Sequence, residues 1–186
     1  MSHDKVIILD CGSQYTQLIA RRVRELNIFC EIYPFNKIPT LGEDVKAVII
    51  SGSPFSVRDE NAPTIEYGPF IGKIPLLGIC YGAQYLASRE GGRVERSEQR
   101  EYGKAILKIE DLEDPLFCNI SQNSQVWMSH GDSVLAIPEG FKNIATTEEN
   151  EYALFKKEQI AAEAPVYAFQ FHPDVPPTAH GSQSLS

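Results

Sequence analysis

Apolar residues in this chain gather in short unbroken runs separated by turn-forming residues. "KVIILD" (Lys5 to Asp10) is rich in β-branched residues and runs into "CGSQ", which predicts a buried strand entering a Gly/Ser turn. From Ser13 the period lengthens. Leu18, Ile19, Val23 and Leu26 recur at helical spacing with Arg21, Arg22, Arg24 and Glu25 between them, which predicts a helix with Ser13 as its N-cap. "CEIYPF" predicts a second strand, "KAVIISGSP" (Lys46 to Pro54) a third that ends in another Gly/Ser/Pro turn, and "KIPLLGIC" repeats the pattern. Strands that are apolar throughout and alternate with turns and helices predict βαβ units, hence a parallel sheet covered on both faces. From Gly92 to Phe171 the character changes. "KAILKIE", "QVWMSH", "SVLAIP", "YALFKK" and "VYAFQF" are strand-like with little helical periodicity, so an antiparallel or mixed region is expected beside the parallel strands.

The length of 186 residues suits one domain, and no repeat, low-complexity tract or linker divides it, so residues 1–186 are read as a single α/β unit. Lys and Arg number 17 against 25 Asp and Glu, a net charge of −8, which disfavours nucleic acid or an anionic membrane as the main partner. No apolar run approaches the ~18 residues of a membrane span. The N-terminal "MSHDKVIILDCG" has too short an apolar segment for a signal peptide, so a cytoplasmic location is expected. The four cysteines, Cys11, Cys30, Cys80 and Cys118, are far apart without a C-x-x-C pair, and they read as free thiols rather than a disulfide framework or a metal site.

"GICYG" puts Cys80 between two glycines, where a buried strand meets a helix. A Gly-x-nucleophile-x-Gly turn exposes its middle residue at the strand's carboxyl end, beside helix N–H groups that favour a thiolate. On these five residues alone, Cys80 reads equally well as a small hydrophobe at a tight turn. A thiolate nucleophile needs a base and an orienting acid. "FQFHPDV" supplies His172 after an apolar strand and Asp174 two residues on, with Pro173 holding the backbone extended so that both point the same way. An oxyanion also needs N–H donors. "SGSP" (Ser51 to Pro54) ends a neighbouring strand, so the N–H of Gly52 or Ser53, together with that of Tyr81, is the candidate pair. "VWMSHGDSV" places His130 and Asp132 at the end of a predicted strand, with "SHGD" read as a loop lining a site and Met128 as core.

In that order, and over nearly the whole chain, "SGSP", "GICYGAQ", "SHGD" and "FQFHPDV" resemble the class I (triad) glutamine amidotransferases. "ILDCGSQYTQLIARRVRE" and "VWMSHGD" are similar, within that family, to the glutaminase branch that serves GMP synthesis. The resemblance implies a flavodoxin-like, mostly parallel sheet flanked by helices, with Cys80 as nucleophile toward the side-chain amide of L-glutamine. It implies His172 as base, Asp174 as orienting acid, and Gly52 and Tyr81 as the oxyanion hole. Gln84, Ser53, Ser129, His130 and Asp132 are then substrate contacts. It further implies no cofactor or metal for this domain, and a partner ATP-pyrophosphatase (synthetase) domain that carries ATP and Mg.

Three departures stand out. Ser53 replaces the second glycine of the usual Ser-Gly-Gly-Pro turn, Asp174 replaces the usual glutamate, and Cys11 and Ala83 stand where bulkier residues are common. No synthetase-type phosphate loop occurs, and "PPTAHGSQSLS" after "FHPDV" reads as the approach to a further helix. The chain is therefore expected to be a separate subunit or a domain excised from a longer synthase. The alternative readings are the glutaminase of another class I amidotransferase, a γ-glutamyl cysteine hydrolase and a non-catalytic regulatory module.

Overall fold

The computed structural model describes residues 3–160 and 162–173. Asp174 and the "PPTAHGSQSLS" segment lie outside these residues. Among the described residues, nine strands form one sheet in the order β2-β1-β3-β4-β9-β8-β7-β5-β6. The parallel half comprises β1 (Lys5–Asp10), β2 (Phe29–Pro34), β3 (Val45–Ile50), β4 (Leu76–Ile79) and β9 (Val166–Phe169). The antiparallel half adds β8 (Leu154–Lys157), β7 (Phe141–Thr146), β5 (Arg93–Ile109) and β6 (Ser124–Ala136). The first five follow a flavodoxin-like 2-1-3-4-5 order, with β9 in fifth place.

The continuous apolar runs arise because both faces of the parallel strands are covered. Ile7, Leu9, Val48 and Ile50 pack on one side with Ala83 and Leu86 of helix α2 (Tyr81–Arg89). Val6, Ile8 and Ile49 pack on the other with Ile19, Ala20 and Val23 of helix α1 (Thr16–Glu25). A third cluster, including Leu107, Val126, Met128, Ile144 and Phe171, fills the antiparallel half. Asp114, capping a 3-10 turn at Pro115–Phe117, is buried against that half, where it pairs with Lys156 and accepts the Tyr167 hydroxyl at 3.0 Å.

The structure corrects three expectations. Helix α1 starts at Thr16 rather than beside Ser13. Ser13 Oγ accepts the Tyr15 N–H at 3.0 Å and so shapes the turn before the helix, while the Asp10 carboxylate ties the same turn through Gly12 N and Thr16 Oγ1. The βα alternation also lapses between β3 and β4. Residues 51–75 form turns punctuated by Pro54, Pro63, Pro69 and Pro75, from which Ile65 and Phe70 are driven fully into the core. Finally, "SHGD" is not a loop, because β6 runs unbroken through it. The irregularity falls on its partner instead: Arg96 pairs with Asp132 and Glu101 with His130, so residues 97–100 of β5 bulge opposite Gly131.

Candidate active site

The carboxyl ends of β1, β3 and β4 open onto one cavity of about 870 Å³. The chain leaves β1 toward one edge of the sheet and passes through β3 and β4 toward the other, so the loops after β1 and β3 part and leave a crevice. Gly12 to Tyr15 and Gly52 to Ser56 line it from those loops, Cys80 and Gln84 from the elbow and helix α2, and Ser129 to Asp132 from β6, with His172 beside them.

Cys80 closes the β4–α2 elbow with φ 52° and ψ −104°, a conformation disfavoured for a residue bearing a Cβ. The surrounding contacts impose it. Cys80 N–H donates to Phe169 O at 2.7 Å across to β9, and Cys80 O accepts the first helical bond from Gln84 N at 3.0 Å. The glycines on either side permit the close approach. A Cβ on Gly82 would lie 2.5 Å from Ile50 O, and one on Gly78 would lie 2.6 Å from the Gly82 carbonyl carbon, so helix α2 seats on β3 and β4 only where side chains are absent. The thiol points to β6 and donates to Ser129 O at 3.5 Å. The Tyr81 N–H is the first of helix α2, without an intrahelical acceptor.

His172 arrives from the strand after Phe169 and is almost fully buried. Its N–H donates to Trp127 O at 2.9 Å, a β-bridge to β6, and its ring packs on Tyr15 with centroids 4.9 Å apart. Gly52 lies where these parts meet. A Cβ there would stand 3.4 Å from His172 Cε1, 3.7 Å from Cys80 Cβ and 3.4 Å from Ser13 Oγ. Ser51, fully buried, accepts Cys11 N–H at 3.0 Å and donates to Gly52 O at 2.9 Å, which fixes that carbonyl. The Ser53 N–H then points to the opposite side of the same planar peptide. Among the described non-glycine residues of the site, positive φ is confined to Cys80, so Ser53 occupies its turn without left-handed strain.

The structure thus gathers Cys80, His172, Gly52, Ser53, Gln84, Ser129, His130 and Asp132 around one cavity. Gln84 is buried, and its Nε2 donates to Asp132 O at 2.7 Å, pinning β6 to helix α2. The Asp132 carboxylate accepts a hydrogen bond from the Ser56 hydroxyl. Sequence reasoning missed Tyr15, Ser51 and Ser56. Tyr15 and Ser56 sit in turns without regular periodicity, and Ser51 read only as part of a Gly/Ser turn.

Of the other thiols, Cys11 is pushed up from 9.0 to about 12, first by burial and then by the Asp10 charge, so it stays a neutral packing group. Burial likewise raises the phenols of Tyr67, Tyr81 and Tyr167 above their usual range. An unfolded chain would release the Cys11 proton near pH 9 while the fold retains it. The stabilisation is therefore complete below about pH 9 and is lost as pH climbs toward about 12. Melting temperature measured across this range is expected to fall, and Cys11→Ala is expected to flatten the decline by up to about 1.4 kcal/mol per pH unit. An equal slope in the variant would refute this assignment.

Comparison with known proteins follows the same lines. Residues 7–186 match the family model for class-I glutamine amidotransferases. The chain is 53% identical over 182 residues to the glutamine-hydrolysing GMP synthase of Christiangramia forsetii, covering 98% of this chain and 35% of that protein. It is 52% identical over 185 residues to the enzyme of the same name from Flavobacterium psychrophilum, again covering 35% of it. The chain thus spans about a third of the length of the curated relatives it matches. A solved structure from Thermoplasma acidophilum, that of one subunit of GMP synthase by its description, superposes with a TM-score of 0.83 at 26% identity, covering 100% of this chain and 92% of that one. A glutamine amidotransferase from Thermotoga maritima shares the fold, with a TM-score of 0.72 at 22% identity over 93% of this chain and 77% of that one. A strained cysteine elbow beside the β1/β3 crevice of a flavodoxin-like sheet and a match from residue 7 onward agree: the chain belongs to the class-I glutamine amidotransferase family.

Proposed function

We propose that this chain hydrolyses L-glutamine to glutamate and ammonia as the glutaminase part of a GMP synthase. The observation that carries the reading is the strained Cys80 elbow sharing one cavity with His172 around Gly52. In this scheme His172 takes the Cys80 proton, and the sulfur attacks the side-chain amide carbon. The oxyanion forms beside the Tyr81 N–H and the Gly52–Ser53 peptide. Collapse breaks the C–N bond as His172 returns the proton to the leaving nitrogen, which departs as ammonia. Water, deprotonated by His172, then cleaves the thioester and releases glutamate. Asp174 is proposed to orient the imidazole.

The match to GMP synthases over nearly the whole chain supports ammonia delivery to an ATP-dependent synthetase domain, where XMP would be aminated and where ATP and Mg would bind. The cysteines are free, as a thiol nucleophile in the reducing cytoplasm requires, and no helix among the described residues is long and apolar enough to cross a membrane. The experiment is ammonia release from L-glutamine and from γ-glutamyl peptides, paired with mass analysis after treatment with a diazo-ketone glutamine analogue. Ammonia from glutamine alone and a single adduct on Cys80 are expected. Cleavage of γ-glutamyl peptides instead would redirect the reading to a hydrolase, and a folded protein without adduct would overturn it.

A further inference from the structure

The ladders that β9 forms with β4 and β8 end at Phe169. The chain then bends at Gln170 and Phe171 before His172 bridges to Trp127 of β6. Beyond that single bridge, the place where the imidazole lands depends on how the bend is held. Phe171 anchors one side of it, buried and stacked on Phe169 with ring centroids 5.1 Å apart. The other anchor is an amide. Gln170 is fully buried and stands apart from the residues that line the cavity. Its Nε2 donates to Tyr152 O at 2.9 Å and to Asn150 Oδ1 at 3.1 Å, and its Oε1 accepts the Val134 N–H at 3.2 Å. One side chain thus ties the bend to the turn before β8 and to β6 together. Asn150 is itself buried and fixed. Its N–H donates to Thr147 Oγ1 at 3.1 Å, and its carbonyl accepts the Thr147 N–H at 2.9 Å. An apolar side chain of the same length would fill this space without the cost of desolvating an amide. What it could not do is give the bend a direction.

We propose that Gln170 is a positioning residue for His172. Its hydrogen bonds set the bend between β9 and β6, and the bend sets how the imidazole is presented to the Cys80 sulfur. This inference rests on the reading of His172 as the base. The other parts of the site are held independently of Gln170. The Cys80 elbow hangs on Phe169 O, before the bend, and Asp132 is held by Gln84 and by the Ser56 hydroxyl. Loss of the Gln170 bonds therefore reaches proton transfer and spares substrate binding, so kcat falls while KM holds.

The test uses two variants of similar volume. Gln170→Met removes all three side-chain bonds and is expected to lower kcat for ammonia release by about 10- to 100-fold, with KM changed less than about threefold. Gln170→Glu keeps the acceptor for Val134 but sets a carboxylate against Tyr152 O and Asn150 Oδ1, and it regains a donor only when protonated. Its kcat relative to the parent is expected to climb as pH falls from about 8 to about 6, while that of Gln170→Met does not. The link to His172 is read without glutamine, by iodoacetamide alkylation of Cys80 followed by peptide mass analysis. Exposed Cys118 is the internal reference, and buried Cys11 and Cys30 report any general loosening. His172→Ala and Gln170→Met are each expected to slow Cys80 relative to Cys118, and the double variant is expected to be no slower than His172→Ala alone. The inference is overturned if Gln170→Met changes kcat less than twofold or acts on KM instead. It is also overturned if Gln170→Glu shows no acid recovery, or if the Gln170→Met effect on Cys80 persists in full without His172. Cys80 alkylation that follows Gln170 and His172 as expected, in a parent that releases no ammonia from glutamine, would leave the positioning role standing and overturn only the proposed reaction.

Discussion

Cys80→Ala is expected to reduce ammonia release from L-glutamine by at least about 10⁴-fold, with the melting temperature changed by only a few degrees. The size follows from the proposed role. Loss of a covalent nucleophile removes the thioester route altogether and leaves only binding and oxyanion donors, which act on a much weaker attacking water. The small effect on stability follows from the contacts. The elbow is held by backbone bonds from Cys80 N to Phe169 O and from Gln84 N to Cys80 O, neither of which involves the thiol. The side-chain hydrogen bond lost is the long 3.5 Å one from Sγ to Ser129 O, and alanine meets the same φ of 52° as cysteine does. Ammonia detection and circular dichroism on the same preparation check both halves. Residual turnover above about one per cent in the folded variant would remove Cys80 from the nucleophile's role.

Gly82→Ala is expected to combine a loss of about 3 kcal/mol of stability with a fall in activity of about 100-fold or more. Its new methyl would press 2.5 Å from Ile50 O and 2.9 Å from Ile50 Cγ2, against a strand that is buried and cannot yield. Relief requires helix α2 to lift from β3. Cys80 and the Tyr81 N–H would then leave the position they hold relative to His172. In a chain of this size the stability loss corresponds to a drop of roughly 6–12 °C in melting temperature. Gly91→Ala is a useful contrast in packing, since no heavy atom lies near a Cβ there, although its φ of 99° leaves backbone strain as its only penalty. A Gly82→Ala protein with native melting and native turnover would show that the elbow tolerates a side chain.

The contrast between these glycines shows what was legible in the sequence. "KVIILD", "KAVIIS" and "PLLGIC" announced buried parallel strands because a strand covered on both faces has no polar side. The spacing of two glycines around Cys80 announced a tight turn because contacts of 2.5 to 2.6 Å admit nothing larger. The reading failed where geometry is set by remote partners. "SHGD" contains a glycine and polar residues and so resembled a loop, yet its backbone is paired across β5 and its residues line the cavity. Tyr15 against His172, and Ser56 against Asp132, are contacts between distant segments without any local periodicity. Cys11 and Cys80 are both buried thiols following strands, and only the backbone around Cys80 and the cavity beside it set them apart.

Strand β9 comes last among the described strands, yet it lies mid-sheet, between β4 and β8. It joins the parallel half to the antiparallel half, and it accepts the Cys80 N–H through Phe169 O just before the chain reaches His172. A polypeptide still emerging from the ribosome, with residues 166–173 unavailable for pairing, would therefore hold two half-sheets with open edges at β4 and β8, and a cysteine turn without its anchor or the neighbouring imidazole. Insertion of that one strand closes the sheet, braces the elbow and delivers the imidazole in a single event. Under the proposed mechanism an incomplete chain consequently has no means of consuming glutamine, and competence arrives together with the completed fold.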